Sequence, residues 1–246
     1  MAVHLKKIRE TEPKAIELKP KPGTANSRTQ VVNLGKLKDV KTDVRKFPQL
    51  DKGLQGLYAA DVLAGHLKLY EGYVKRLNAL DAKLKSTAVD SPDWSELQRR
   101  FCWEWNGVHL HELYFESLTH GGAEATSAEH LLLAKLAEPV YGSFDRWMIN
   151  LKQLAEHVTG SGWAVACISE DEPKRLMNGW VADHDHGLLA KMSVLLPIDL
   201  WEHAWYGLIE GTETGPDQKK AYIDGLFKNL NWSSIVLRAN DLSKVH

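Results

Sequence analysis

Cysteine is almost absent from this 246-residue chain, which has only Cys102 and Cys167. Two distant cysteines exclude a disulfide framework and a zinc finger, whose ligands come in closely spaced pairs. Both are expected to be small buried apolar side chains. Net charge is equally slight. The 31 Lys and Arg nearly cancel 32 Asp and Glu, leaving −1 at pH 7, so no global field draws the chain to nucleic acid or an anionic membrane. No apolar run is long enough to span a bilayer, and the N-terminal charges are not followed by an apolar stretch. Neither a membrane helix nor a secretory leader is therefore expected, and the chain reads as cytoplasmic with no nucleic-acid or membrane partner.

Tryptophan, by contrast, is abundant: nine residues, gathered near histidines. Trp103 and Trp105 precede His109 and His111, and Trp201 and Trp205 flank His203. Indole walls suit a site that must be rigid and largely dry. With 43% hydrophobic and 26% charged residues, the remaining composition is that of an ordinary globular protein with ample core.

Residues 1–48 read as an extension, a surface-wrapping arm rather than an independent domain, because Lys, Arg and Pro are frequent and no apolar period persists. From Leu57 to Leu84 the pattern is helical, with Leu63, Leu67, Tyr70, Val74, Leu77 and Leu80 at three- and four-residue steps. Ser91 followed by Pro92 caps a second helix running to about Leu118. Two long helices with a short polar connection predict an antiparallel hairpin over 49–123. Helices at about 127–138 and 143–158 follow. The period then changes: Trp163–Ile168, Arg175–Ala182 and Lys191–Leu196 are short runs of strand-forming residues, read as a small antiparallel sheet. Helices near 200–210, 216–229 and from about 233 complete a mixed region, 124–246. The expected class is α+β: an N-terminal antiparallel helical hairpin followed by a C-terminal α/β domain with a small three-stranded antiparallel sheet.

The candidate chemistry begins with Asp199 and His203, four residues apart and read as a pair at the start of a helix, aimed at one spot. His66 lies beside the apolar stripe of the first long helix, and His111 lies on the second with Trp103, Tyr114, Phe115 and Leu118. Alone, each reads as a core histidine. Together, the hairpin can bring them face to face, with the Asp199/His203 segment closing against them. Three imidazoles and one carboxylate suit iron or manganese and leave room for a small ligand.

These residues also carry a resemblance. Asp199-Leu-Trp-Glu-His-Ala-Trp-Tyr206 is similar to the D-x-W-E-H-A-Y-Y signature of iron/manganese superoxide dismutases. Gly160-Ser-Gly-Trp-Ala164 and Asn229-Leu-Asn-Trp232 resemble the family's G-S-G-W-A and V-N-W segments. The resemblance spans about residues 50–240. It implies one iron or manganese ion per subunit, on His66, His111, Asp199 and His203. It implies a homodimer or homotetramer in which Glu202 reaches the neighbouring subunit's ligand histidine. Trp201 would wall the pocket. His184 would stand where many members place a glutamine hydrogen-bonded to solvent at the metal, and Gly107 is the small residue that accompanies histidine there. The implied activity is disproportionation of superoxide to oxygen and hydrogen peroxide, with Tyr73 or Tyr70 relaying protons. Lys68 and Lys75 read equally well as residues that steer the anion and as solvated helix faces.

The chain departs from the family at Tyr70, where a histidine is usual, and at His109 and Leu110, where Trp and Asn are usual. The gateway tyrosine is expected eight residues after the first ligand, where Val74 stands. Tyr73 is one residue earlier, so Tyr70 and Tyr73 both remain candidates. The histidine of the family's subunit-spanning Tyr–His contact is replaced by Tyr70, so that contact is not expected in its usual form, although a tyrosine there leaves Tyr206 able to hydrogen-bond. Two rival readings use the same residues: a metal-binding homologue with little dismutase activity, and a metal-free structural or interaction protein of this fold. Retention of all four ligand types together with Glu202 counts against the second.

Overall fold

Helix α1 (Ala60–Ser86) and helix α2 (Pro92–Glu116) form the hairpin that the periodicity predicts. The structure is a computed structural model that describes residues 41–208 and 215–244. Leu63, His66, Tyr70, Tyr73, Val74 and Leu77 occupy the buried face of α1 at steps of three and four. Leu57, read from sequence as the start of this helix, instead lies in a preceding turn between the bridged Leu54 and Tyr58, its side chain buried against Gly225. Helix α2 starts as expected: Ser91 Oγ accepts the Asp93 N–H at 3.2 Å, and Pro92 occupies the first turn, where no donor is needed.

Helix α3 (Ser127–Tyr141) opens with a capping box in which Thr126 and Glu129 satisfy each other's backbone N–H groups. It ends at Gly142, whose φ of +77° is a left-handed conformation that favours glycine. Helix α4 (Phe144–His157) leads to strands β1 (Gly162–Ser169), β2 (Leu176–Ala182) and β3 (Met192–Asp199). The sheet is antiparallel in the order β2-β1-β3, and every residue of the central strand is buried. Gly162 must be glycine for a steric reason: a Cβ there would clash with the Val181 carbonyl across the strand pair. Trp163 pairs with Asp199, so the start of β1 lies against the end of β3.

Two expectations change here. Asp199 is the last residue of β3, not part of a helix, because it keeps its pairing with Trp163. In the described part of the expected 200–210 helix, only α5 (Glu202–Trp205) is helical, after an extended Trp201. Helices α6 (Pro216–Lys228) and α7 (Trp232–Lys244) match their expected positions.

Expectations for residues 1–40 lie outside the described residues. Residues 41–48 pack on the hairpin: Phe47 lies 5.9 Å from Tyr70 and 5.2 Å from Phe115 between ring centroids. The Thr42 N–H also donates to Asn78 Oδ1 at 2.9 Å. Cys167 is buried in β1, but Cys102 is exposed, which corrects the expectation that both are buried; its helix face turns to solvent. Among the described residues, no helix is long and apolar enough to cross a membrane.

Candidate metal centre

Four elements deliver one donor atom each to a single point. His66 comes from α1, His111 from α2, Asp199 from the end of β3 and His203 from α5. Asp199 Oδ2 lies 3.1 Å from His66 Nε2, 3.5 Å from His111 Nε2 and 3.3 Å from His203 Nε2. All four donor atoms lie within 4.8 Å of one another. The hairpin supplies the first two because His66 and His111 face inward on adjacent helices, their rings 5.4 Å apart and nearly perpendicular.

Local hydrogen bonds aim these donors. His111 Nδ1 donates to the Gly107 carbonyl at 2.5 Å, which leaves the lone pair on Nε2. Asp199 Oδ1 accepts the Trp201 N–H at 2.9 Å, turning Oδ2 toward the histidines. His111 Nε2 is buried without a hydrogen-bond partner, and His203 Nε2 has only the Asp199 carboxylate, at 3.3 Å, a costly arrangement in a protein interior. A divalent cation would satisfy both, and a set of three imidazoles and one carboxylate fits iron or manganese.

Electrostatics agree with that donor chemistry. Burial holds His111 down at about 3 and lowers His66, while hydrogen bonding to Asp199 works in the opposite sense on His66. Burial also opposes the charged form of His203, but its hydrogen bond to Asp199 and the field of that carboxylate outweigh burial and raise it. Asp199 is likewise buried, yet its bonds to His203 and His66 hold its carboxyl well below the ordinary range. The cluster therefore presents an ionised carboxylate and, at His66 and His111, neutral imidazoles, the protonation states that bind metal.

Aromatic side chains enclose the cluster. Trp201 stacks on His184 at 4.8 Å, Trp103 meets His184 at 4.4 Å, and Trp163 meets His111 at 5.0 Å. The Trp163 indole, which can only donate, gives its Nε1–H to His184 Nδ1 at 3.0 Å. Neutral His184 therefore carries its proton on Nε2, which lies 2.8 Å from the Tyr73 hydroxyl. Burial lowers His184 to about 4 and raises the Tyr73 phenol well above its ordinary value. Gly107 has its place here as well: a Cβ would lie 2.7 Å from Tyr73 Cδ1.

The other residues named from sequence lie farther out. Tyr70 turns away from the cluster, donating to Glu112 Oε1 at 2.8 Å and accepting the Arg45 N–H at 3.0 Å. Glu202 Oε2 accepts from Ser161 Oγ at 2.8 Å, and Tyr206 is 53% exposed. Trp105 is also largely exposed, on the outer face of α2. Lys68 and Lys75 are exposed on α1. The cations that touch the pocket walls are instead Arg76, 4.6 Å over the Tyr73 ring, and Arg100, 4.3 Å over Trp103. Both are held by the fully buried Glu104, to which Arg76 Nε donates at 2.9 Å and Arg100 Nε at 3.0 Å. Sequence reading missed this trio. The available signal was spacing: Arg76 is three residues after Tyr73, and Arg100 is three before Trp103 and four before Glu104.

Comparison with known proteins follows the same lines. Residues 129–238 match the family model for iron/manganese superoxide dismutases, C-terminal domain. The chain is 30% identical over 189 residues to an iron superoxide dismutase of Cupriavidus metallidurans, covering 75% of this chain and 89% of that protein. It is 30% identical over 185 residues to one from Aquifex pyrophilus, covering 72% and 81% respectively. A manganese superoxide dismutase of Halobacterium salinarum is 29% identical over 137 residues, covering 55% and 62%. By its sequence likeness and by the architecture that gathers these four donors, the chain belongs to the iron/manganese superoxide dismutase family.

Proposed function

We propose that this protein disproportionates superoxide to oxygen and hydrogen peroxide, with one iron or manganese ion per subunit on His66, His111 and His203 Nε2 and Asp199 Oδ2. The observation that carries this reading is the convergence of the four donors within 4.8 Å. An iron or manganese ion held by these four residues would supply the one-electron redox couple that disproportionation needs.

The protein's own groups manage the anion and the protons. Trp103, Trp163 and Trp201 restrict water around the cluster. Arg76 and Arg100 place positive charge beside the pocket wall, where it attracts an anionic substrate. Because His184 Nε2–H donates to Tyr73, the Tyr73 hydroxyl keeps its own proton for another acceptor. That proton is placed to reach the reduced oxygen species, and two protons per cycle balance two superoxide ions as one oxygen and one hydrogen peroxide. Tyr73, not Tyr70, takes the gateway role on this reading, since the Tyr70 hydroxyl is engaged by Glu112 and Arg45.

Further parts of the reading concern organisation. Residues 1–48 act as an extension, 49–123 as the hairpin domain and 124–246 as the mixed domain. Subunits pair as a homodimer or homotetramer in the cytoplasm, with Glu202 reaching the neighbouring subunit's ligand histidine. The deciding experiment is metal analysis joined to a dismutase assay on separately iron- and manganese-reconstituted protein. Stoichiometric metal with rapid dismutation is the expected result. Full occupancy without activity would leave a metal-binding homologue, and failure to bind either metal would overturn the enzyme reading.

A further inference from the structure

Three tyrosines meet beneath the turn that carries Asp199 and His203, and none of them belongs to the site described above. Tyr58, Tyr114 and Tyr222 are 4%, 1% and 0% exposed. The Tyr222 hydroxyl donates to the main-chain carbonyl of Asp199 at 2.7 Å. The Tyr58 hydroxyl donates to the main-chain carbonyl of Ala204. The Tyr114 and Tyr222 oxygens lie 3.2 Å apart, and the Tyr58 and Tyr222 rings stack at 6.2 Å.

A phenol has one proton to donate. With Tyr222 committed to Asp199 and Tyr58 to Ala204, the proton between Tyr114 and Tyr222 belongs to Tyr114. The three hydroxyls therefore have a defined direction, and it ends on the two carbonyls that bracket the ligand turn.

That turn has little stability of its own. Helix α5 is four residues long, lacks a side-chain N-cap, and buries only Ala204. A single helical turn is unfavourable in isolation, so its geometry has to be imposed from outside. The tyrosines also link it to the elements that hold the other donors. Tyr58 lies two residues before α1, which carries His66, and Tyr114 lies three residues after His111 on α2. The Tyr114 ring is 5.5 Å from that of His66.

We propose that Tyr58, Tyr114 and Tyr222 are positioning residues for the metal: by fixing the Asp199 and Ala204 carbonyls, they set the aim of Asp199 Oδ2 and His203 Nε2 relative to His66 and His111. The inference rests on the reading of that cluster as a metal site. Groups that orient metal ligands without touching the metal typically account for a 10- to 100-fold effect on metal affinity.

The test compares Tyr58→Phe, Tyr222→Phe and the double variant with Tyr141→Phe. Tyr141 serves as the control because its hydroxyl also binds backbone, accepting the Asn178 N–H at 2.8 Å, but away from the cluster. Manganese(II) affinity is measured by competition with a chromogenic chelator, alongside the thermal midpoint of each metal-free protein. The expected result is a dissociation constant raised about 10-fold in each tyrosine variant at the turn, and further in the double variant. Tyr141→Phe should stay within about twofold of the parent at a comparable loss of midpoint, as a hydrogen bond outside the ligand shell should. Unchanged manganese affinity in both single variants, with only the midpoint lowered, would overturn the inference and make the tyrosines ordinary core. If one variant does not fold, the other decides. Should the parent protein itself bind no manganese or iron, the metal-site reading fails first, an outcome distinct from failure of the clasp alone.

Discussion

His184 Nε2 stands 2.8 Å from the hydroxyl of Tyr73, and this contact sets the direction of the proton in the pocket. The direction comes from Trp163, whose indole N–H occupies His184 Nδ1 and places the ring proton on Nε2. Tyr73 must then accept from His184, so its own proton is left for another acceptor.

Replacing Tyr73 by Phe should therefore slow turnover while leaving the metal in place. The expected loss is about 100-fold in the rate at saturating superoxide, read by stopped-flow assay, with metal content per subunit equal to that of the parent. A variant that loses metal in proportion to activity would assign Tyr73 a role in the ligand shell instead.

His203→Ala removes one of the four donors and leaves Asp199 and the remaining imidazoles without it. Metal uptake should fall below stoichiometry in both iron and manganese reconstitutions. His157→Ala, an exposed change on α4, should leave uptake unchanged. Elemental analysis after gel filtration distinguishes the two.

Gly107→Ala puts a methyl group 2.7 Å from Tyr73 Cδ1. Overpacking of this kind costs about 1–3 kcal/mol, and here the partner that must give way is the Tyr73 ring, to which proton relay is proposed. A lowered thermal midpoint should accompany a fall in turnover. A stable Gly107→Ala protein with full activity would show that Tyr73 tolerates displacement.

Acid should destabilise the metal-free protein in a defined window. Buried His184 is depressed to about 4 from an ordinary 6.5, so below pH 6.5 the unfolded chain binds a proton that the folded chain does not. Stability then rises with pH between about 4 and 6.5 and is lost as pH falls through that range. For this one residue the loss approaches about 3 kcal/mol. Denaturant midpoints at pH 4.5 and 7 should thus differ less in His184→Gln than in the parent protein.

Much of the architecture was legible because its signals are local. The Leu63-to-Leu77 stripe, the Ser91-Pro92 cap and the Gly160-Ser-Gly162 break each report on a few consecutive residues. What sequence misjudged depends on distant partners. Asp199 looked helical beside His203, yet pairing with Trp163 keeps it in β3. Leu57 looked like part of the first helix because it is apolar and precedes the helical pattern, and an apolar side chain is buried in a packed turn as readily as in a helix. Cys102 looked like core, but among the described residues it is exposed on its face of α2.

By itself the sequence determined the four donor types, the order of the elements that carry them and the wealth of tryptophan around them, since composition and short spacings fix these directly. Tertiary structure decided which tyrosine faces the cluster. Tyr70 and Tyr73 are three residues apart on one helix and chemically identical. Arg45 and Glu112 take the hydroxyl of the first, and His184 takes that of the second. A hydroxyl turns toward whatever donor or acceptor the fold brings within about 3 Å, and those partners come from 25 to 111 positions away in the chain.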